Sequence, residues 1–264
     1  MTLSLTFIGN ATVLLRCGPF TILTDPSFLH AGQRAHLGYG LFTERLLEPA
    51  MQVDELPPLD AVVLSHLHGD HWDRVAARSL DRSLPVVTTP HASRRLQGVK
   101  GFRRAVGLQT WESHTLVKGH SVLTVTALPG THAPGLVSRL LPPVMGSLLE
   151  LGDTAGAVER RVYLTGDTLM YAGVHEIARR CPDIDLAVVH LGGTTLPGGL
   201  VVTMDGRQGS ELLEAVRPRR AVPVHVDDYA AMRSPLSAFT EEMSRRGLSD
   251  MVTVVGRGET ATFD

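Results

Sequence analysis

The stretch from Ala61 to Asp73, Ala-Val-Val-Leu-Ser-His-Leu-His-Gly-Asp-His-Trp-Asp, constrains the fold more than any other part of the chain. Residues 61–64 are a short, β-branched run following Pro57-Pro58, the pattern of a buried strand. Residues 72–80 read as a helix. Between them His66, His68, Asp70 and His71 fall within six residues. His66 and His68 are two apart, so on an extended backbone they leave the same face and can share one metal. Asp70 and His71 follow Gly69, where the chain can turn, and can aim at a second metal beside the first. Neutral imidazole and carboxylate suit zinc, and also manganese or iron. A histidine-rich surface loop is the bland alternative, but four ligands at this spacing behind a buried strand argue for a metal loop at the strand-to-helix edge of an α/β fold.

Three more sequence features extend the pattern. They are Leu128-Pro129-Gly130-Thr131-His132, Tyr163-Leu164-Thr165-Gly166-Asp167 and Val222-Pro223-Val224-His225. Taken in order with His-x-His-x-Asp-His, they resemble the metallo-β-lactamase superfamily over nearly the whole chain. The resemblance implies a four-layer αβ/βα sandwich spanning residues 1–264 as a single domain, with the site at one edge between two sheets. It maps one metal to His66, His68 and His132, the other to Asp70, His71 and His225, with Asp167 bridging. Periodicity alone gives only an α/β or α+β domain.

That mapping implies two divalent cations about 3.5–4 Å apart, Zn²⁺ or else Mn²⁺ or Fe²⁺, sharing a hydroxide at neutral pH. Hydrolysis is the expected reaction, since the chain contains neither Gly-x-Ser-x-Gly nor a phosphate loop. The segments Phe7-Ile8-Gly9-Asn10-Ala11-Thr12 and Ile22-Leu23-Thr24-Asp25-Pro26 resemble one branch of the superfamily. It holds N-acyl-phosphatidylethanolamine phospholipase D-like and ascorbate-6-phosphate lactonase-like proteins, so the resemblance implies a phosphodiesterase or lactonase. Leu67 and Gly69 depart from residues common inside that branch's motif, leaving the substrate open. The rivals are a β-lactamase or nuclease of the same fold, and a metal-binding scaffold without catalysis.

Net charge is −2 and adjacent basic residues come in pairs, which argues against a nucleic-acid surface. No apolar window is long enough to span a membrane. The start of the chain reads directly as a strand, without a signal-peptide pattern. Cys17 and Cys181 make no disulfide framework. A cytoplasmic enzyme acting on a small molecule is expected, with self-association left open.

Strands are expected at 3–8, 11–16, 19–24, 85–88, 103–106, 109–111, 115–117, 121–128, 146–151, 161–165, 185–189, 220–224, 251–255 and 260–263, those from 103 to 128 forming a second sheet. Helices are expected at 92–96, 174–180 and 209–216, with another opening at Ser234-Pro235, serine as its cap. Residues 27–58 read as a long loop, and 194–203 as a glycine-rich connection. Asp25 ends a buried strand, either to start a turn or to orient the metal loop. His190 ends another strand, and is read as a general acid or substrate contact, or else as a core histidine. Asp70 and His190 are the catalytic candidates. Tyr229, close behind His225, is within reach of a pocket. Residues 133–145 are apolar and broken by proline, either core packing or a wall that gives the site an apolar, even lipid-like, substrate.

Overall fold

β1 (Leu3–Gly9), β2 (Thr12–Cys17) and β3 (Phe20–Thr24) form an antiparallel meander whose side chains alternate between two interiors. Leu3, Leu5, Val13, Leu15 and Ile22 face one core, while Ile8, Leu14 and Leu23 face another. This period of two is what a sheet buried on both sides requires. The chain then leaves the sheet to build a small hairpin, β4 (Arg34–Gly38) and β5 (Leu41–Glu44), inside the segment expected to be loop. Its turn holds Tyr39 and Gly40 at φ 50° and 74°, the left-handed pair that a tight hairpin needs.

β6 (Ala61–Val63) returns to the sheet parallel to β3. The helix behind the histidine motif, α1 (Arg74–Ser79), starts later than its apolar pattern suggests, because the Asp73 side chain accepts the Ala76 N–H and caps it. β7 (Val86–Thr88), α2 (Pro90–Gly98) and β8 (Ala105–Gly107) complete the first half. β8 lies parallel to β7 and so belongs to the first sheet rather than the second. Residues 109–111 are not a strand: Trp111 turns the chain at φ 72°.

The second sheet begins with β9 (Ser113–Lys118), β10 (Ser121–Pro129), β11 (Met145–Asp153) and β12 (Val158–Leu164), all antiparallel. α3 (Ala172–Arg180) leads to β13 (Leu186–His190), which pairs parallel to β12. The glycine-rich connection folds into a two-stranded hairpin, β14 (Thr195–Leu196) and β15 (Leu200–Val201). α4 (Gly206–Val216) and β16 (Arg220–Val224) follow, then α5 (Leu236–Arg245). Ser234 does not cap α5; its hydroxyl instead accepts the Gly206 N–H at the start of α4. The expected strand at 251–255 reduces to a single bridge between Val252 and Ala221, and β17 (Thr260–Phe263) pairs with β1.

In this computed structural model, which describes every residue except Met1, Val99, Pro134, Leu136, Val137, Arg139, Leu140 and Pro197, the two sheets run β17-β1-β2-β3-β6-β7-β8 and β16-β13-β12-β11-β10-β9. Their facing sides enclose one core, with Leu5, Leu15 and Val63 opposite Leu149, Val188 and Val222. α1 and α2 cover the outer side of the first sheet around Trp72, Ala76, Leu96 and Phe102. Helices α3, α4 and α5 cover the second around Ile177, Leu213 and Phe239. The expected four-layer αβ/βα sandwich is the observed one. Among the described residues no helix is long and apolar enough to cross a membrane.

Candidate metal centre

Every expected ligand follows the end of a strand, and all these ends meet at one edge of the sandwich. His66, His68, Asp70 and His71 follow β6, His132 follows β10, Asp167 follows β12 and His225 follows β16. The polar loop after each apolar strand is therefore where the site is built. Two glycines make the convergence sterically feasible. A side chain on Gly69 would run into the backbone of His36, at 2.6 Å from its nitrogen, so the β4–β5 hairpin can lie directly on the metal loop. Gly69 thus acts through close approach, not through a special backbone angle. Gly166 combines φ 60° with a Cβ position 2.7 Å from the Met145 carbonyl, which brings Asp167 into the centre.

All seven ligand candidates are buried and fall into two neighbouring groups suited to a cation, His66/His68/His132 and Asp70/His71/Asp167/His225. The outward nitrogen of most of these imidazoles is already engaged. His66 Nδ1 lies 2.9 Å from the Ser65 hydroxyl, and His132 Nδ1 3.2 Å from the Val202 carbonyl. His225 Nδ1 is 3.1 Å from the Leu191 carbonyl, and His71 Nδ1 3.4 Å from Asp25 Oδ2. Such partners fix the tautomer and leave the inner nitrogen as a lone-pair donor. Those inner atoms converge: His66 Nε2 and His68 Nδ1 are 2.8 Å apart, His71 Nε2 and His225 Nε2 3.2 Å. Asp167 reaches both groups, with Oδ2 3.1 Å from His71 Nε2 and 4.0 Å from His66 Nε2, and Oδ1 3.7 Å from His225 Nε2. Asp70 Oδ2 lies 3.4 Å from His225 Nε2. His132 Nε2, Asp70 Oδ1 and Asp167 Oδ1 are buried with no hydrogen-bond partner. Orphaned acceptors of this kind are costly in an apolar interior unless a cation takes them up, so the donor set fits divalent metals.

The electrostatics agree. Burial alone would raise the Asp167 carboxyl, but His225 and His71 hold it well below the usual carboxylate range. Burial would lower His71, yet Asp167, Asp25 and Asp70 together raise it well above an ordinary imidazole. Burial, followed by the neighbouring histidines His71, His68 and His132, pushes His66 well down. The pocket thus demands positive charge at the carboxylate group and keeps the His66 side neutral and available.

A further layer of residues holds the ligands in place. Asp25 Oδ1 accepts from both the Ser65 N–H at 2.7 Å and the Ser65 hydroxyl at 2.9 Å, while Oδ2 faces His71. Of its two readings, orientation of the metal loop is the one the contacts match. Burial would raise its carboxyl, but the charge of His71 and contacts with His190 and His71 bring it down to about 2. His190 Nε2 lies 3.4 Å from Asp25 Oδ2, and its ring and backbone N–H both contact the Thr165 hydroxyl. Of the two readings of His190, a catalytic or substrate contact or a core histidine, its buried place behind His71 and against Asp25 and Thr165 resembles the second. The side-chain amide of Asn10, part of the segment that carries the branch resemblance, donates to the Asp70 carbonyl at 2.7 Å. Asn10, Asp25 and His225 all adopt positive φ, at 54°, 36° and 61°. Non-glycine residues in this region cost of order 1–3 kcal/mol each and persist where the surroundings enforce them.

Above Asp70 and Asp167 the cleft is walled by Leu37, Leu141, Leu196 and Val202, with Thr194 among them. Among the described residues, Leu141 is the part of the apolar 133–145 segment that lines this cleft. Val144 and Met145 are buried, Met145 in the core between the sheets. Leu136, Val137 and Leu140 lie outside the described residues. Tyr229 does not reach the cleft; its hydroxyl is 3.0 Å from that of Ser27, and its ring packs with Leu29 and Ala35. Asp228, close behind His225, is fully buried between Arg45 at 3.3 Å and Arg257 at 3.0 Å.

Two facing sheets with helices outside, and a histidine–aspartate centre at the strand ends, define the metallo-β-lactamase fold. The chain belongs to the beta-lactamase superfamily domain family, which matches residues 21–226. A metal-dependent hydrolase of Deinococcus radiodurans is 28% identical over 255 residues, covering 96% of each chain. The N-acyl-phosphatidylethanolamine-hydrolyzing phospholipase D 1 of Caenorhabditis elegans is 26% identical over 236 residues, 85% of this chain and 64% of that one. Among solved structures, a possible metal-dependent hydrolase from Veillonella parvula superposes with a TM-score of 0.83 at 23% identity, covering 99% of each chain. An isothiocyanate hydrolase from Delia radicum gut bacteria gives 0.82 at 21%, again with 99% of each covered. These two likenesses show a shared fold.

Proposed function

We propose that the chain is a hydrolase dependent on two divalent metals, zinc being the best fit to its donors, and that it acts on a phosphodiester or lactone with an apolar part. One observation carries this reading: two buried ligand groups, His66/His68/His132 and Asp70/His71/His225, lie side by side with the Asp167 carboxylate reaching both. Cations held there supply a water nucleophile at neutral pH and offset negative charge that develops on the attacked group. The protein's own residues do the rest. Ser65, Val202, Leu191 and Asp25 hold the outer imidazole nitrogens, so that the ligands meet the metals without reorganisation. Asp70 would serve both as a ligand and, lining the cleft together with Asp167, as a carboxylate placed to accept a proton during turnover. Leu37, Leu141, Leu196 and Val202 exclude water and favour an apolar substituent. The relatives named as metal-dependent hydrolases, and the phospholipase D, support the class.

The test is metal analysis joined to turnover. Protein expressed with zinc should hold close to two metals per chain and hydrolyse bis-p-nitrophenyl phosphate or a lactone with an acyl tail. It should lose both properties in His66→Ala and Asp167→Ala. Metal-replete protein inert on phosphodiester, lactone and β-lactam panels alike would favour a binding scaffold instead.

A further inference from the structure

A second cavity, of about 470 Å³, lies between the two hairpins and includes Arg34, Glu44 and Arg233, so its basic and acidic groups are mixed. A different one, of about 460 Å³, adjoins the metal cleft and shares His68 and Leu141 with it. Its walls come from the tip of the β4–β5 hairpin (His36, Tyr39), the metal loop (His68), α2 (His91, Arg95) and residues 141–143. Among the described residues no aspartate or glutamate lines it. We infer that this chamber is an anion subsite, which receives a carboxylate or phosphate group carried by the substrate while the bond to be broken lies on the metals. The inference rests on the metal-hydrolase reading above and adds to it the charge of the substrate.

Three observations carry it. First, the chamber holds a cation and a ring nitrogen that have no partner among the described residues. Among the described residues Arg95 has no ion-pair or hydrogen-bond partner, and its side chain is exposed to the chamber. His91 has a buried Nδ1 that is likewise unpartnered. Second, the shared wall is itself a donor. With Nδ1 of His68 turned toward His66, its Nε2 edge is buried, has no partner and lies against Gly38 of the same chamber wall. An imidazole that gives Nδ1 to a metal carries its proton on Nε2. One ring therefore couples the metal centre to the chamber. Third, the local field is positive although the whole chain is slightly acidic. Burial and then the charges of Arg95 and Arg94 push the His91 imidazole below its ordinary range, and no carboxylate offsets them. A neutral His91 beside a fixed guanidinium is a hydrogen-bonding partner that Arg95 complements with charge.

The test compares p-nitrophenyl phosphodiesters that differ only on the other arm: 4-carboxyphenyl, 4-phosphonophenyl or the neutral 4-carbamoylphenyl. With the zinc-loaded full chain, kcat/KM should favour at least one acidic arm over the carboxamide by about tenfold, the low end for a charge-assisted contact at a partly exposed site. Which acid wins identifies carboxylate or phosphate as the natural group. The preference should collapse in Arg95→Gln, survive in part in Arg95→Lys and fall with added salt. Parity in the unaltered protein, or a preference that persists in Arg95→Gln, overturns the subsite. If none of the probes is turned over, the phosphodiester reading fails by itself, and the subsite is judged by binding. Titration with benzoate or phenylphosphonate should then shift the His91 ring NMR signals, benzamide should not, and Arg95→Gln should abolish the shift. Unmoved His91 signals would refute it.

Discussion

Replacing Asp25 with asparagine tests how the ligands are held, because the exchange keeps shape and reverses one hydrogen-bonding edge. The asparagine carbonyl can still accept from the Ser65 N–H and hydroxyl, now 2.7 and 2.9 Å from Asp25 Oδ1. The amide nitrogen then replaces Oδ2, which lies 3.4 Å from both His71 Nδ1 and His190 Nε2. A donor would face His71 where an acceptor stood. His71 must lose its Nδ1 proton, which favours the tautomer with a proton on Nε2, the atom that points at Asp167 and His225. A hydrogen bond to a charged group contributes about 1.5–3 kcal/mol. At 3.4 Å the contact is stretched, so about 2 kcal/mol is a fair figure, or about 30-fold in metal affinity. This lies within the about 10–100-fold usual when such a supporting partner is lost. Chelator competition on zinc-loaded protein should show the metal of the Asp70/His71/His225 group weakened by that factor. The metal of His66/His68/His132 should be nearly unchanged, and far-UV circular dichroism should remain native. Binding of both metals within twofold of the unaltered protein would refute the tautomer argument and return Asp25 to a turn residue.

Other outcomes follow from the same structure. Asp228→Ala leaves Arg45, which is 0% exposed, buried without its counter-ion, so unfolding should cost about 3–5 kcal/mol less by urea titration, while Arg45→Met with Asp228→Leu should recover part of the loss. Cys17, pushed up to about 12 by burial, holds only about one part in ten thousand as thiolate at pH 8, so alkylation of the native protein should be slow and become fast only in denaturant. Leu141→Ser and Leu37→Ser should raise KM for esters with long acyl arms several-fold more than for short ones, since each large side chain on the cleft contributes about 1.5–3 kcal/mol when fully covered; equal effects on both would assign them to packing alone. His190→Gln should lower metal retention less than Asp25→Asn, because its polar contacts go to Asp25 and Thr165 and it meets His71 and His225 by ring packing at 6.0 Å.

The chain's own order of residues marked the ligand candidates. His66, His68, Asp70 and His71 are close in sequence, so backbone periodicity alone says that they share a neighbourhood. His132, Asp167 and His225 are far apart in sequence and were legible through the family resemblance, each as a polar residue just after an apolar run. Most strands were legible because alternation such as Leu3/Leu5 against Ile8 is a local property. What surrounds the ligands was decided by tertiary structure alone. Asn10 reaches the Asp70 carbonyl across 60 residues, and Tyr229 turns to Ser27 across 202. Asp228 is buried by Arg45, 183 residues away, although Asp227-Asp228 reads locally as an exposed turn. β8 joined the first sheet because the crossover through α2 lays it parallel to β7, a choice that its three residues do not encode. His190 and His225 end adjacent parallel strands, yet one supports and the other faces the centre. The difference lies in backbone angle: His225 turns into the site at φ 61°, held by its N–H to the Asn10 carbonyl, while His190 remains in its strand against Thr165. Short-range pattern specifies which groups can bind a metal; long-range packing specifies which nitrogen faces it.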